Sequence, residues 1–170
     1  MLIAHVPAGY IVSKIMHKGN NVSFIFCSLV FSLWPDFDLI YYYFFENTKA
    51  FHHTYLPHLP ITILISFLVT LPFTYLKCFK NIKIYYWLFF VNWILHLLLD
   101  SFTGGILWAY PFSDKMFVLI KIPPIYQSWY ISFILHWSFL IELSIITWAM
   151  ILWTKTGSLF RAKLRILWLF

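Results

Sequence analysis

The sequence predicts an all-α, polytopic helical membrane protein: about five apolar helices, the first two short, with a polar metal-site cap at one membrane face. Three observations predict it. Of 170 residues, 62% are apolar, 23% aromatic and only 11% charged, against about 25% charged in a soluble domain. Several apolar runs approach or exceed the roughly 20 residues that span a bilayer. The basic residues collect in short loops and in the tail, where topology signals and contacts to anionic headgroups belong. At this length one domain is expected, residues 1–153, followed by a basic amphipathic tail, 154–170.

The net charge of +6 does not point to nucleic acid, because the basic side chains form no continuous face; no nucleic-acid partner is expected. Cys27 and Cys78 have no CxxC spacing, so neither a disulfide framework nor a thiolate zinc site is indicated. The stretch MLIAHVPAGYIVSK has no basic region ahead of its apolar run, so a cleaved signal peptide is not expected.

The first apolar segment, Leu2 to Met16, ends at Lys14, His17, Lys18 and a Gly19-Asn20-Asn21 turn. The second, Val22 to Trp34, is stopped by Pro35, which also biases Trp34 away from the helical region. Each is ~20 Å long, short of a ~30 Å hydrocarbon core, so the pair is expected to form a short or tilted hairpin. The aromatic run Tyr41 to Phe45 reads as an interfacial belt. Leu59 to Leu76 is the third segment, with a kink at Pro72, and it exits into Lys77, Lys80 and Lys83. Ile84 to Leu99 is the fourth, ending at Asp100 and a Thr103-Gly104-Gly105 turn. Ile106 to Ser128 is a longer, proline-containing connection with a short extended piece at Met116 to Ile122. Tyr130 to Trp153 is the fifth and strongest span.

Five crossings place nine Lys and Arg residues on one side, Lys14, Lys18, Lys77, Lys80, Lys83, Lys155, Arg161, Lys163 and Arg165, and three on the other, Lys49, Lys115 and Lys121. By the positive-inside rule the nine face the cytoplasm of a multi-pass inner membrane protein. The same topology gathers His5, Asp36, Asp38, His52, His53, His58, His96 and Asp100 on the non-cytoplasmic face. Lys and Arg alone set the orientation, so this convergence is an independent indication of one composite site.

His96 and Asp100 form the strongest pair. An i, i+4 spacing projects imidazole and carboxylate from one helix face, and burying either in an apolar segment without a partner is costly. Asp36-Phe37-Asp38 follows a proline, and its spacing lets one or both carboxylates reach a common cation; a solvated turn capping the next helix is the alternative. His53 and His58, with His52 adjacent, bring imidazoles to one loop, and imidazole is a preferred nitrogen ligand of zinc. His5 is ambiguous near a terminus. On the fifth span, His136 is about two turns below the surface and Glu142 nearer the bilayer centre. Their six-residue separation does not make a one-face pair, and both are secondary candidates.

Carboxylates mixed with imidazoles, and no thiolate, suit Zn2+, with Mn2+ or Fe2+ as alternatives, in a site that holds water. Seven or eight candidate ligands exceed those of one tetrahedral ion, so two or three metals are expected. Such a cluster can make hydroxide near neutral pH and steady both oxygens of a phosphoester displacement.

The order Ala4-His5, Leu33-Trp34-Pro35-Asp36-Phe37-Asp38, His53 to His58, and His96-Leu97-Leu98-Leu99-Asp100 with Thr103-Gly104 and Pro111 resembles the membrane-bound metal-dependent hydrolase family of bacterial inner membranes, the LexA-regulated YdjM-like proteins. That family is distantly grouped with the zinc-dependent phospholipase C and single-strand nuclease superfamily, whose trimetal site cleaves phosphodiesters. The resemblance covers residues 4 to 111 and implies metal roles for His5, Asp36, Asp38, His53, His58, His96 and Asp100. Where the family has His-Arg-Gly-x-Thr-His-Ser, this chain has His53-Thr54-Tyr55-Leu56-Pro57-His58-Leu59, with the histidine spacing kept and the arginine and serine absent.

The leading expectation is therefore a hydrolase of a phosphoester or other ester, including lipid esters, in which His96 and Asp100 anchor the metals and Asp36 or Asp38 bridges them or orients the attacking water. Asp36, Asp38 and Asp100 are the catalytic candidates. A non-catalytic membrane protein that binds or passes a divalent metal, and a helical scaffold with a polar cap, are the competing readings. Side chains of His53, His58, His96 and Asp100 within about 5 Å of one another support metal binding, given coordination distances near ~2 Å.

Overall fold

Pro35, Pro72 and a turn at His136 to Ser138 decide how the apolar segments divide. In the computed structural model, which describes residues 3–45, 52–80 and 82–167, the described residues form seven α-helices: α1 (His5–Met16), α2 (Val22–Ser32), α3 (Asp38–Phe45), α4 (Pro60–Thr70), α5 (Lys83–Thr103), α6 (Trp129–Ile134) and α7 (Phe139–Leu167). Short 3-10 turns lie between them, and the described residues form no strand beyond a single antiparallel bridge between Ile106 and Phe117. The expected extended piece at Met116 to Ile122 is reduced to that bridge.

The five apolar segments are helical, but five crossings are not found among the described residues. Among these, only α5, with 21 residues, and Phe139–Thr156 of α7, with 18, are long and apolar enough to cross a membrane. A third exists if Val22–Ser32 and Pro35–Tyr41, bent by 59°, count as one span. Each shortfall has a local cause. α1 and α2 have 12 and 11 residues. Pro72 turns the third segment into a 3-10 helix at Leu71–Tyr75, because its ring cannot donate to the helical ladder. The fifth breaks where Ser138 N–H donates to His136 Nδ1 (3.3 Å), with Ser138 Oγ 2.8 Å from the same nitrogen.

That break moves Glu142 from an expected mid-membrane position to the first turn of α7, where it is fully buried and its Oε2 accepts from Ile3 N–H at 3.0 Å. The α7 backbone then continues helically through the basic tail to Leu167. The amphipathic character expected of that tail, the interfacial reading of Tyr42, Tyr43 and Phe45, and the side chains of His52 and Lys49 lie outside the described residues.

Trp34 departs from the pre-proline bias: its φ and ψ are −51° and −46°. Turn hydrogen bonds from Asp36 N–H to Leu33 O and from Phe37 N–H to Trp34 O hold that conformation, as do edge contacts of the indole with Phe37, Phe89 and Trp93. The chain therefore bends after α2 without leaving helical geometry, and Asp36 stays beside the end of α5.

Helices α1, α2 and α5 pack as a triad at close range. A Cβ on Gly9 would lie 2.7 Å from Ser32 Cβ, so glycine lets α1 touch α2, as small residues do between apolar helices. Ser28 Oγ donates to Gly9 O at 2.7 Å and accepts from Asn92 Nδ2 at 3.0 Å, tying all three helices one turn below the polar end. α7 packs on α1 through Tyr10, Ile11, Ala149, Ile145 and Leu152. The connection after α5 straps back onto it: Leu119 and Ile120 N–H donate to Ser101 and Phe102 O, satisfying carbonyls that the helix end would leave unpaired.

Candidate metal centre

Five separate segments deliver the polar side chains to one place. α1 begins at His5; the bend after α2 carries Asp36; α3 begins at Asp38; the 3-10 turns before α4 carry His53 and His58; and the last turns of α5 carry His96 and Asp100. Asp100 is the hub. Its Oδ1 lies 3.2 Å from His5 Nε2, and its Oδ2 lies 3.1 Å from His96 Nε2, 3.7 Å from His53 Nε2 and 3.8 Å from His58 Nε2. Asp36 Oδ1 closes the group, 3.4 Å from His96 Nε2 and 3.7 Å from His58 Nε2. Ligand atoms of Asp36, His58, His96 and Asp100 all fall within 4.8 Å of one another, so this set could hold a metal ion.

Three histidines use one device. His96 Nδ1 faces Ser32 O at 2.7 Å, His53 Nδ1 faces Gly105 O at 3.0 Å, and His58 Nδ1 faces Asp38 Oδ2 at 2.7 Å. A carbonyl or carboxylate oxygen only accepts, so in each ring Nδ1–H donates, which leaves Nε2 as the nitrogen that faces Asp100. That is the outer contact by which ligating imidazoles are oriented. His96 Nε2 makes no hydrogen bond among the described residues despite full burial, which fits a nitrogen aimed at a cation.

Asp38 lies one imidazole behind the cluster rather than inside it, with its other oxygen, Oδ1, making no hydrogen bond among the described residues. The rings themselves stack in pairs, His5 on His96 with centroids 3.8 Å apart and His53 on His58 at 4.7 Å. Burial holds His5 below its ordinary imidazole value against the pull of Asp100. For His58, burial pushes the same way, but the carboxylates of Asp36 and Asp38 outweigh it and raise the group.

Backbone features fix these positions. Gly104 gives His53 its berth, since a Cβ there would lie 2.5 Å from the ring's Cε1; Gly105 takes φ +85°, a left-handed conformation that ends α5 and turns its carbonyl to His53. Trp93 Nε1 donates to Pro57 O at 2.7 Å and pins the turn carrying His58 to α5. Asp36 is the open member, its side chain 26% exposed where that of Asp100 is 2%.

The seven residues expected in one site are thus adjacent, each within 4 Å of another member. His136 instead pairs locally with Ser138. The supporting carbonyls of Ser32 and Gly105 and the glycine contact at Gly104 were not expected from the sequence. The Gly104-Gly105 pair immediately after a ligand-bearing helix was the available signal for the last.

Comparison with known proteins finds no matching family model, curated protein or solved structure.

Proposed function

We propose that the chain is a membrane-bound, metal-dependent hydrolase of phosphoesters or related esters, akin to the YdjM-like hydrolases that its motifs resemble. One observation carries the reading: two oriented imidazoles, of His58 and His96, and two carboxylates, of Asp36 and Asp100, bring ligand atoms within 4.8 Å of one another at the end of an apolar helix. Oxygen and nitrogen donors without thiolate suit Zn2+ in a site that keeps an open position. His58, His96, Asp36 and Asp100 would hold the ion, with His5 and His53 on the flanks of Asp100. A metal held there supplies Lewis acidity, activating water near neutral pH and polarising a phosphoryl oxygen.

The protein's own contribution is position. Ser32, Gly105 and Asp38 keep the imidazoles in one tautomer, so each side chain meets its ligand without rearranging. Asp36, the exposed member, is placed to orient the attacking water and to meet the substrate. Asp38 acts through His58 as a positioning residue.

Inner-membrane placement, with the site on the non-cytoplasmic face, is part of the proposal. Lys83 at the start of α5, Lys14 in the last turn of α1 and Lys155 at the close of the apolar stretch Phe139–Thr156 lie remote from the cluster, which suits a positive-inside orientation.

Purified protein loaded with Zn2+ tests the reading against a chromogenic phosphodiester and a phospholipid. Metal-dependent turnover that falls at least a hundredfold in Asp36→Asn and Asp100→Asn, and stays unchanged in His136→Gln, is expected. Bound metal with no turnover of either substrate, together with metal flux into vesicles, would replace the enzyme by a metal carrier.

A further inference from the structure

At the end of α5 opposite the cluster, an apolar cavity of about 400 Å³ lies between α2, the Leu71–Tyr75 turn and α5. Phe31, Phe73, Phe79, Ile82 and Phe89 line it together with Lys83. The chain that closes this end carries Lys77, Lys80 and Lys83, all exposed. Lys77 opens a 3-10 turn, in which side chains three residues apart eclipse one another, so Lys77 and Lys80 fall on one side. No Asp or Glu occurs between Glu46 and Asp100, so no acidic neighbour in this stretch of sequence offsets these charges.

We propose that this corner binds an anionic phospholipid, one acyl chain entering the aromatic cavity and the phosphate resting on Lys77, Lys80 and Lys83. A hydrophobic slot beside three lysines, in a stretch of sequence with no acidic residue, matches an amphiphile with an apolar tail and an anionic head. A water-soluble anion would use the lysines alone and leave the slot empty. From Lys83 to Asp100 is ~25 Å along the helix, near the thickness of a hydrocarbon core, which sets this corner at headgroup level when the metal cluster lies at the other face. The inference rests on the membrane part of the proposed function and is independent of the hydrolase part.

The full chain, solubilised in detergent, is titrated with phosphatidylglycerol and with phosphatidylcholine, retained lipid being counted by native mass spectrometry. Phosphatidylglycerol should bind roughly tenfold or more tighter than phosphatidylcholine. Lys77→Gln/Lys80→Gln/Lys83→Gln should abolish that preference, and Ile82→Trp, at an exposed position on the slot, should weaken binding of the same lipid with all three charges in place. Lys14→Gln/Lys18→Gln, at another basic corner, should leave the preference intact. Equal affinity for the two lipids, or an equal loss in both lysine variants, overturns the proposal. Flotation with phosphatidylcholine vesicles separates the two claims: protein that inserts without lipid preference refutes this corner alone, and protein that does not insert refutes the membrane reading with it.

Discussion

Gly104 and His53 are in direct contact at the end of α5, with room for a hydrogen and none for a methyl group: a Cβ would stand 2.5 Å from His53 Cε1. The imidazole must retreat if Gly104 gains a side chain, and its Nδ1 bond to Gly105 O goes with it. Gly104→Ala is expected to weaken zinc binding by about tenfold or more, the range seen when outer contacts of a ligand are lost. The position is not in the left-handed region, so the fold should survive. Zinc titration with a competing chelator reads the change.

Asp38 offers a second test of positioning. Asn in its place keeps the shape but removes the charge that holds the His58 Nδ1 proton, and a 10- to 100-fold loss of metal affinity is expected. Circular dichroism should be unchanged. A loss of helix comparable with the loss of metal would make Asp38 a structural residue.

Gly9→Ala probes the route by which α1 delivers His5. The added methyl meets Ser32 Cβ at 2.7 Å and Ser28 O at 2.9 Å, an overpacking that costs ~1–3 kcal/mol. A lower melting temperature is expected, together with weaker metal binding because His5 shifts away from Asp100. Thermal unfolding in detergent, with and without zinc, reads both.

Acid should release the metal. Protons and metal compete for the same nitrogens, and Asp36 and Asp38 raise His58 above its ordinary value. The bound state is thus favoured above that raised value and is lost as pH falls through it, starting at higher pH than for a free imidazole. Zinc affinity measured between about pH 8 and pH 5.5 should fall steadily; a flat profile would remove His58 from the ligand set.

The site was more legible than the membrane topology, for a physical reason. A histidine and an aspartate in WILHLLLD are costly unless they meet partners, so hydropathy and ligand chemistry together pointed to residues that the fold then brings together. Spans are harder to read, because hydropathy counts apolar residues and cannot see where the ladder stops. Pro72, the bend at Pro35 and the His136 to Ser138 turn each shorten a run that composition alone extends. The division of labour inside Asp36-Phe37-Asp38 was also hidden. The spacing allows both carboxylates to face one ion, whereas the turn points Asp36 inward to the cluster and sets Asp38 behind His58.

The metal content of the purified protein tests the central claim most directly. Elemental analysis after zinc incubation and desalting should find at least one equivalent of zinc per chain in the wild type and close to none in His96→Gln/Asp100→Asn of unchanged helical content. A wild-type protein that retains no more zinc than this double variant would contradict the assignment of the cluster as a metal centre.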